Sequence, residues 1–130
     1  MPGATPISDS EWDVMEPIWE AGACTAAHVI KQLQSTHEWN HSTIRTLLAR
    51  LVEKGALDYQ VDGPRYIYRA AVSRRQCVRQ KCRSFLEKAF GGDVAALVAH
   101  FVSDASLDAR QIEQLRQLLA QKKKPGEKRK

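Results

Sequence analysis

Apolar residues recur every three or four positions in three stretches of the N-terminal half, which is the spacing of helices with one buried face. Ser8 begins a capping-box pattern at the first stretch, and Pro17 lies inside that stretch, where it is expected to bend the helix. Thr25 and Asn40 are of the residue types that cap helices, and they precede the second and third stretches. Gly55 follows the third stretch, where a left-handed residue commonly ends a helix. The pattern predicts three helices.

The period of the pattern then changes from helical to alternating. Apolar and polar residues alternate from Leu57 to Val61, DGP at 62–64 supplies a turn, and RYIYR at 65–69 alternates again. Two short alternating runs around a turn that contains glycine predict a β-hairpin. Three helices followed by a hairpin are the order of a winged helix-turn-helix, which we assign to residues 7–72. A generic small α+β domain is the alternative.

Residues 73–121 contain three further apolar stripes with helical spacing. The stripes consist of Val78, Cys82, Phe85, Leu86 and Ala89, then Val94, Leu97, Val98, Phe101 and Val102, and finally Leu107, Ile112, Leu115, Leu118 and Leu119. Short helices totalling fewer than about 60 residues bury too little surface to fold alone, so these stripes must pack on the winged domain or on a second copy of the chain. The predicted fold class is mainly α with a small β-hairpin. Residues 122–130 are basic and lack hydrophobic side chains, which predicts a disordered tail.

Charge is distributed unevenly along the 130 residues, whose formal net charge is +5. Counting Lys and Arg against Asp and Glu, residues 1–40 carry −5, residues 41–72 carry +2, residues 73–92 carry +5 and residues 93–130 carry +3. Positive charge therefore begins at the third helix. This is the footprint of a protein that binds a polyanion, and a solvated basic surface is the alternative.

Composition also argues against several other classes of protein. No run of about 18 or more apolar residues exists, so we expect no membrane insertion. The N-terminus lacks the basic start and apolar run of a secretory signal. Three widely spaced cysteines do not suit a disulfide framework and fit the reducing cytoplasm, where we expect the protein to be located.

The sequence predicts neither a cofactor nor a metal site. Cys77 and Cys82 are five residues apart and point to different sides of a helix, and Cys82 falls on an apolar stripe, which predicts a core thiol. His37 and His41 lie on either side of the Asn40 cap, so they are not a helical ligand pair. The chain lacks HExxH, a nucleophile elbow and a phosphate-binding glycine loop, and an enzyme is therefore not expected.

The exposed front of the third helix suggests a function. Its polar positions are short hydroxyl, amide or cationic groups with no acid before Glu53, whereas a merely solvated helix would normally mix Glu with Lys. In a winged helix the third helix enters the major groove of DNA, and the hairpin reaches the neighbouring backbone. The candidate DNA-binding residues are Asn40, His41, Ser42, Thr43, Arg45, Thr46, Arg50 and Arg65. Of these, Arg45 and the hydroxyls suit base edges, while Arg50 and Arg65 suit phosphates.

Two other function classes stay open beside a DNA-binding regulator. One is a winged-helix module whose exposed helix binds another protein, but a polar and cationic front does not supply the apolar anchors that protein interfaces favour. The other is a regulator that responds to a metal or small-molecule ligand, but no polar cluster interrupts the C-terminal stripes to specify such a ligand.

A protein that reads duplex DNA gains affinity and matches operator symmetry by dimerising. This favours a second copy of the chain as the surface that covers the C-terminal stripes, so residues 73–121 are predicted to be a dimerisation region. The residues expected in a two-fold interface are Val98, Phe101, Ile112, Leu115 and Leu119.

Four segments of the chain are distinctive in combination: ISDSEWDVMEPIWEAG, STIRTLLARLVEKGAL, RYIYR and SFLEKAFGGDVAALVAHF. Together they resemble the penicillinase-repressor family of BlaI, MecI and CopY proteins over nearly the whole chain, and most closely its BlaI and MecI branch. The resemblance implies a homodimeric transcriptional repressor with an N-terminal winged helix and a C-terminal helical dimerisation region. It also implies binding to inverted-repeat operators, commonly with TACA-type half-sites, at promoters of resistance genes such as that of β-lactamase.

The resemblance also implies a route of induction. In the β-lactam branch a membrane sensor protease triggers cleavage between an Asn and a Phe in the C-terminal region. That bond corresponds here to His100–Phe101, which keeps the Phe but not the Asn, so this is the candidate cleavage bond and a sensor protease the candidate partner. The copper branch binds metal through CxC motifs, which this chain lacks. Pro17 also replaces the aliphatic residue expected in the family.

Overall fold

The computed structural model describes residues 6–104 and 107–122 of the chain. Its helices are α1 (Asp9–Ala21), α2 (Ala26–Gln34), α3 (His41–Glu53), α4 (Arg74–Phe90), α5 (Val94–Asp104) and α6 (Ala109–Lys122). Its strands are β1 (Ala23–Thr25), β2 (Leu57–Asp62) and β3 (Arg65–Ala70). The chain divides into two compact units, the first ending at Ser84 and the second beginning at Phe85, so α4 contributes to both.

The three predicted caps begin the first three helices. The Ser8 N–H donates to Glu11 Oε1 (2.9 Å) and the Glu11 N–H donates to Ser8 Oγ (3.2 Å), which completes the capping box of α1. Thr25 Oγ1 accepts the His28 N–H at the start of α2, and Asn40 Oδ1 accepts the Thr43 N–H at the start of α3. The positions of these three helix starts are confirmed.

Two predicted features of the helices have different outcomes. Pro17 lies inside α1 and is buried, and the helix continues through it to Ala21; a bend there stays a prediction. Gly55 follows the C-cap residue Lys54 of α3 and has a φ of 83°, so it adopts the left-handed conformation predicted at the end of this helix. The end of α3 is thereby fixed by a backbone conformation that favours glycine.

The predicted hairpin of β2 and β3 is present, each strand ending one residue later than the alternating pattern indicated, and a third strand extends the sheet. The sheet order is β1-β3-β2, with both pairings antiparallel. The sequence pattern does not reveal β1, because three residues are too few to display alternation. It forms because Ala23 to Thr25 pair with Ile67 to Arg69 on the free edge of β3.

One hydrophobic core holds the first unit together and confirms the winged helix. Its fully buried large side chains come from α1, α2, α3 and the start of β2: Val14, Met15, Ile18, Val29, Ile44, Leu48, Leu51 and Leu57. The first turn of α4 adds Cys77, which is 6% exposed. Cys82 is exposed, so the prediction of a core thiol at that position is wrong. The reason is rotation: α4 turns its Cys77 side towards the core, and five residues later the helix faces elsewhere.

A buried ion pair ties the start of α1 to the end of α3. Glu11 is 2% exposed, and its Oε1 accepts a hydrogen bond from Lys54 Nζ at 2.5 Å as well as the Ser8 N–H. Lys54 Nζ also donates to the carbonyl oxygen of Pro6 (2.8 Å). Burial raises the pKa of the Glu11 carboxyl, but the hydrogen bonds from Lys54 and Ser8 outweigh burial and hold that pKa below its ordinary value.

The second unit has no core of its own in the part of the chain that the structure describes. From Phe85 to Asp104 and from 107 to 122, every residue is exposed or half-buried. The predicted domain junction at residue 73 stays a prediction: α4 begins at Arg74, and the two compact units divide between Ser84 and Phe85. The predicted tail lies outside the described residues except for Lys122, which ends α6. Among the described helices, none is both long enough and apolar enough to cross a membrane.

Candidate nucleic-acid interface

The two sides of α3 have opposite chemistry. Ile44, Leu47, Leu48 and Leu51 are buried against the other elements of the first unit. The N-cap Asn40 is exposed, as are the polar residues His41, Ser42, Thr43, Arg45, Thr46 and Arg50 of the helix and its last residue, Glu53. All seven α3 residues predicted from sequence therefore reach solvent on the helix side that does not build the core.

Hydrogen bonds order the first turn of this surface. Asn40 Oδ1 accepts both the Thr43 N–H and the Ser42 hydroxyl, each at 2.8 Å. The His41 ring lies 3.1 Å from the side-chain amide nitrogen of Gln34, which connects the end of α2 to the start of α3. These contacts fix the polar side chains before any ligand arrives, which lowers the entropy cost of binding.

Further along α3 the polar side chains have no such contacts. Within residues 6–104 and 107–122, the side chains of Thr43, Arg45, Thr46 and Arg50 make no hydrogen bond or ion pair. Two hydroxyls and two guanidinium groups are thus available on the exposed side of α3, where the carboxylate of the helix is that of Glu53 at its last position. Hydroxyls and guanidinium groups are donors that suit phosphate oxygens and base edges.

The loop before α3 is more ordered than its polar sequence suggests. His37 Nε2 lies 3.1 Å from Asp13 Oδ2 on α1, and the His37 ring lies 4.4 Å from the ring of Trp39. Trp39 also packs against the hydrophobic core. The sequence of this segment, STHEW at 35–39, is polar except for Trp39. The packing of Trp39 fixes the entry of the chain into α3.

The hairpin places aromatic residues close to α3. Burial raises the pKa of the Tyr68 phenol, the positive charge of Arg45 opposes that change, and the neighbouring Tyr66 and Tyr59 add to it. The guanidinium group of Arg45 is therefore near enough to Tyr68 to favour its ionised form, although burial outweighs that effect. The Tyr59 and Tyr66 rings stack with centroids 4.8 Å apart and an angle of 9° between their planes. Sequence reasoning did not select these tyrosines as site residues.

Arg65 occupies the tip of the hairpin, as predicted, and is exposed. Its Nη2 lies 3.7 Å from Asp62 Oδ2, and both side chains are about two-thirds exposed, at 65% and 66%. An ion pair this open to solvent is weak, so it does not prevent Arg65 from meeting another anion. The pair nevertheless places the Asp62 carboxylate beside Arg65, the residue predicted from sequence to be the wing contact.

No metal centre is evident within the described parts of the chain, where no three His, Cys, Asp or Glu side chains are grouped to hold an ion. The three cysteines are all free. Burial raises the pKa of the Cys24 and Cys77 thiols, which disfavours their reactive thiolate forms.

The surface of α3, the adjoining hairpin and the core behind them can be compared with known proteins. The family model described as "Penicillinase repressor" matches residues 7–121. This chain belongs to the penicillinase repressor family. The penicillinase repressor of Bacillus licheniformis is 33% identical over 117 residues, which are 90% of this chain and 91% of that one. The methicillin resistance regulatory protein MecI of Staphylococcus aureus (strain N315) is 34% identical over 116 residues, 89% of this chain and 94% of that one.

Two solved structures of the family match the first unit. The solution structure of the DNA-binding domain of the repressor BlaI has a TM-score of 0.53 and 36% identity, and the match covers 58% of this chain and 93% of that one. Monomeric Bacillus licheniformis BlaI in complex with the blaP half-operator has a TM-score of 0.51, with the same identity and coverage. The match to the family model confirms the predicted resemblance and the prediction of a repressor rather than an enzyme. The match to the BlaI DNA-binding domain confirms the predicted winged helix.

Proposed function

We propose that this chain is a homodimeric repressor that binds double-stranded DNA at inverted-repeat operators and controls resistance genes such as that of β-lactamase. In this proposal α3 enters the major groove, the hairpin contacts the backbone, and α5 and α6 form the dimer. Proteolysis in the C-terminal region releases the repressor from its operator. The observation that carries the proposal is the exposed polar side of α3, which has no acidic residue before Glu53 at the end of the helix.

The chemistry of that face supports duplex DNA as the ligand. Thr43, Arg45 and Thr46 lie in the first two turns of α3, the part of a recognition helix that approaches base edges. A guanidinium group forks onto guanine, and a threonine offers a hydroxyl to bases and a methyl group to thymine. Arg50 lies more than a turn further on, where a phosphate contact is the better fit. The BlaI domain with which this first unit shares its fold is described in complex with a half-operator.

The exposed apolar residues of the second unit support the dimer. Val98, Phe101, Ile112, Leu115 and Leu119 each leave between 39% and 60% of their surface exposed in one chain. Exposed apolar patches on this scale mark interaction sites, and these five residues lie on two neighbouring helices in sequence. A second copy of the chain offers the same stripes, so the interface is self-complementary.

The names of the relatives support the proposal that this chain controls resistance genes. Two of them are named for penicillinase and for methicillin resistance. The induction route rests on the family resemblance at His100–Phe101. Both residues are exposed in one chain, at 57% for the His100 side chain and 52% for Phe101, and their bond lies within α5.

The test is selection of binding sites by the purified full chain from a pool of randomised duplexes, followed by fluorescence titration of the selected site. The expected product is an inverted repeat whose half-sites lie on one face of the duplex, bound by two chains. A single unpaired half-site would remove the dimer from the proposal. If no sequence were enriched over the starting pool, sequence-specific binding to an operator would be rejected.

A further inference from the structure

The hairpin has two faces of different character, and its register defines them. Tyr59 pairs with Tyr68 and Val61 pairs with Tyr66, and cross-strand partners point to the same side of a sheet. Leu57 and Ala70 begin this side inside the core, so the same face continues outward from the core towards the tip. We call the outer part of this side, Tyr59, Val61, Tyr66 and Tyr68, the tyrosine face.

The charges of the hairpin lie on the opposite side. Asp58 pairs with Arg69, and Asp62 pairs with Arg65, with Gln60 and Ile67 between these pairs. The tyrosine face therefore carries no charged group of β2 or β3. This separation matters because a carboxylate on the tyrosine face would repel a phosphate, and none is present there.

The tyrosine face adjoins the recognition surface. Arg45 of α3 interacts electrostatically with Tyr68, and α3 packs against β2. Tyr59 and Tyr66 lie further out along the same face and are 46% and 47% exposed. Neither phenolic hydroxyl makes a hydrogen bond to any residue from 6 to 104 or from 107 to 122. Two free hydroxyl donors thus lie beyond Arg45 on an uncharged surface.

We infer that Tyr59 and Tyr66 bind the sugar–phosphate backbone of DNA, donating their hydroxyls to phosphate oxygens while the stacked rings pack against sugars. The inference rests on the proposed function, since it concerns DNA held by α3. Tyrosine is among the side chains that contact phosphates in protein–DNA complexes. The ion-paired Arg65 then becomes a secondary wing contact rather than the main one.

Stacking between the Tyr59 and Tyr66 rings explains why aromatic residues occupy these positions, but it does not require the hydroxyl groups of tyrosine. A cross-strand aromatic pair stabilises a hairpin whether its members are Tyr or Phe. Stacking also holds both side chains in one orientation, so little rotamer entropy remains to be lost when DNA binds. A neutral donor releases no counterion from DNA, and its contribution to affinity is therefore independent of salt concentration.

The test replaces both residues in the full chain, Tyr59→Phe with Tyr66→Phe, and measures affinity for the selected operator and a scrambled duplex over a range of salt concentrations. Loss of two hydrogen bonds to charged oxygens is expected to lower affinity about a hundredfold or more on both duplexes. The slope of log affinity against log salt stays at the wild-type value. The double variant should unfold at the same temperature as the wild-type chain, which would show that the hairpin is intact.

Two control variants separate this inference from its alternatives. Arg65→Ala is expected to reduce the salt slope by about 0.9 per phosphate contact, which the tyrosine variant does not do. Gln60→Ala changes an exposed polar residue of the opposite face and is expected to leave affinity unchanged. Unchanged affinity in the double tyrosine variant, a loss confined to the operator, or a lower salt slope each overturns the inference. Wild-type chain that binds neither duplex instead overturns the proposed function.

Discussion

Arg45 and Arg50 are both exposed cations of α3, yet their surroundings differ. Arg45 lies in the second turn of the helix, close to Tyr68 and to the hydroxyls of the first turns. Arg50 lies in the last turn of α3, away from the start of the helix that leads into a major groove. We therefore expect Arg45 to read a base and Arg50 to hold a phosphate.

Replacing Arg45 by alanine is expected to cost about 1–3 kcal/mol of binding free energy on the operator and to relax specificity at one base pair. Arg50→Ala is the matched control, because it removes an identical side chain from the same helix, about 140° around the axis from Arg45. It is expected to weaken operator and scrambled duplex equally and to reduce the salt slope by about 0.9. Equal losses on both duplexes for Arg45→Ala would contradict the base-reading role.

Glu11 links protonation to stability. Its pKa is held below the ordinary value of 4.5 in the folded chain, so the ion pair with Lys54 stabilises the fold above pH 4.5 and is lost as pH falls through the lowered pKa. Glu11→Gln is expected to lower the free energy of unfolding by about 2 kcal/mol at neutral pH, because a charge-assisted hydrogen bond is lost. The difference from wild type should shrink at low pH, as measured by urea unfolding.

Asp9→Asn provides the comparison for this measurement. Asp9 lies in the same first turn of α1 and pairs with Lys81 at 2.6 Å, but it is 93% exposed. Solvent and salt screen such a pair, so no measurable change in stability is expected in high salt. An equal effect of both substitutions in high salt would show that burial of Glu11 is not the cause.

Among the elements, α5 and α6 differ from α3 in the burial of their apolar stripes. The stripe of α3 is buried within the first unit, whereas none of the described residues of α5 or α6 is buried. A helix with an uncovered apolar stripe of this length needs a partner surface to be stable. The second copy proposed above supplies that surface without any additional protein.

Replacing Leu115 by aspartate is expected to shift the chain from dimer to monomer at micromolar concentration, because it places an unpaired charge in the interface. Light scattering reports the change. Arg110→Gln alters net charge by the same single unit on the same helix, about 140° around the axis from Leu115, and should leave the dimer intact. A wild-type chain that is monomeric at this concentration would contradict the dimer.

For the whole molecule, affinity depends on the link between two half-site contacts. A repressor that loses its dimer contacts loses the second half-site, and the penalty reaches about 10²–10⁴ in affinity. A cut at His100–Phe101 divides α5 and separates α6 from the winged domain. Because the bond is helical, a protease must first open that part of α5 locally.

Membranes from β-lactam-induced cells are therefore expected to convert the chain into fragments that end at His100 and begin at Phe101, as measured by mass spectrometry. Membranes from uninduced cells are the control. His100→Asn introduces the residue that the resemblance to the β-lactam branch implies at this bond, and it is expected to speed the cut. Fragments with other ends, or derepression without any cleavage, would reject this bond.

The sequence predicted most of this fold because its signals are local. Ser8, Thr25 and Asn40 cap helices through bonds to residues three positions away, so sequence spacing alone identifies them. β1 and the burial of Cys77 rather than Cys82 depend on partners distant in the chain, which spacing does not reveal. For the candidate site, the front of α3 was predictable from its residue types.

The wing of the candidate site was less predictable. Arg65 stood out because charge is visible in a sequence, whereas the common face of Tyr59 and Tyr66 depends on the pairing register of the two strands. The same register places Asp62 beside Arg65. Strand register is set by the turn and by the core, so residue types alone do not show which side chains of the hairpin share a face.

The shared use of Glu11 Oε1 has a consequence for the order in which the first unit folds. The Ser8 hydrogen bond spans three residues and forms as soon as α1 nucleates, but Lys54 is 43 residues away and arrives only after α3 has docked. Until then a carboxylate lies at the edge of a closing apolar core without its counter-ion. We therefore expect the contact between Lys54 and Glu11 to form late in folding, when α3 docks on α1.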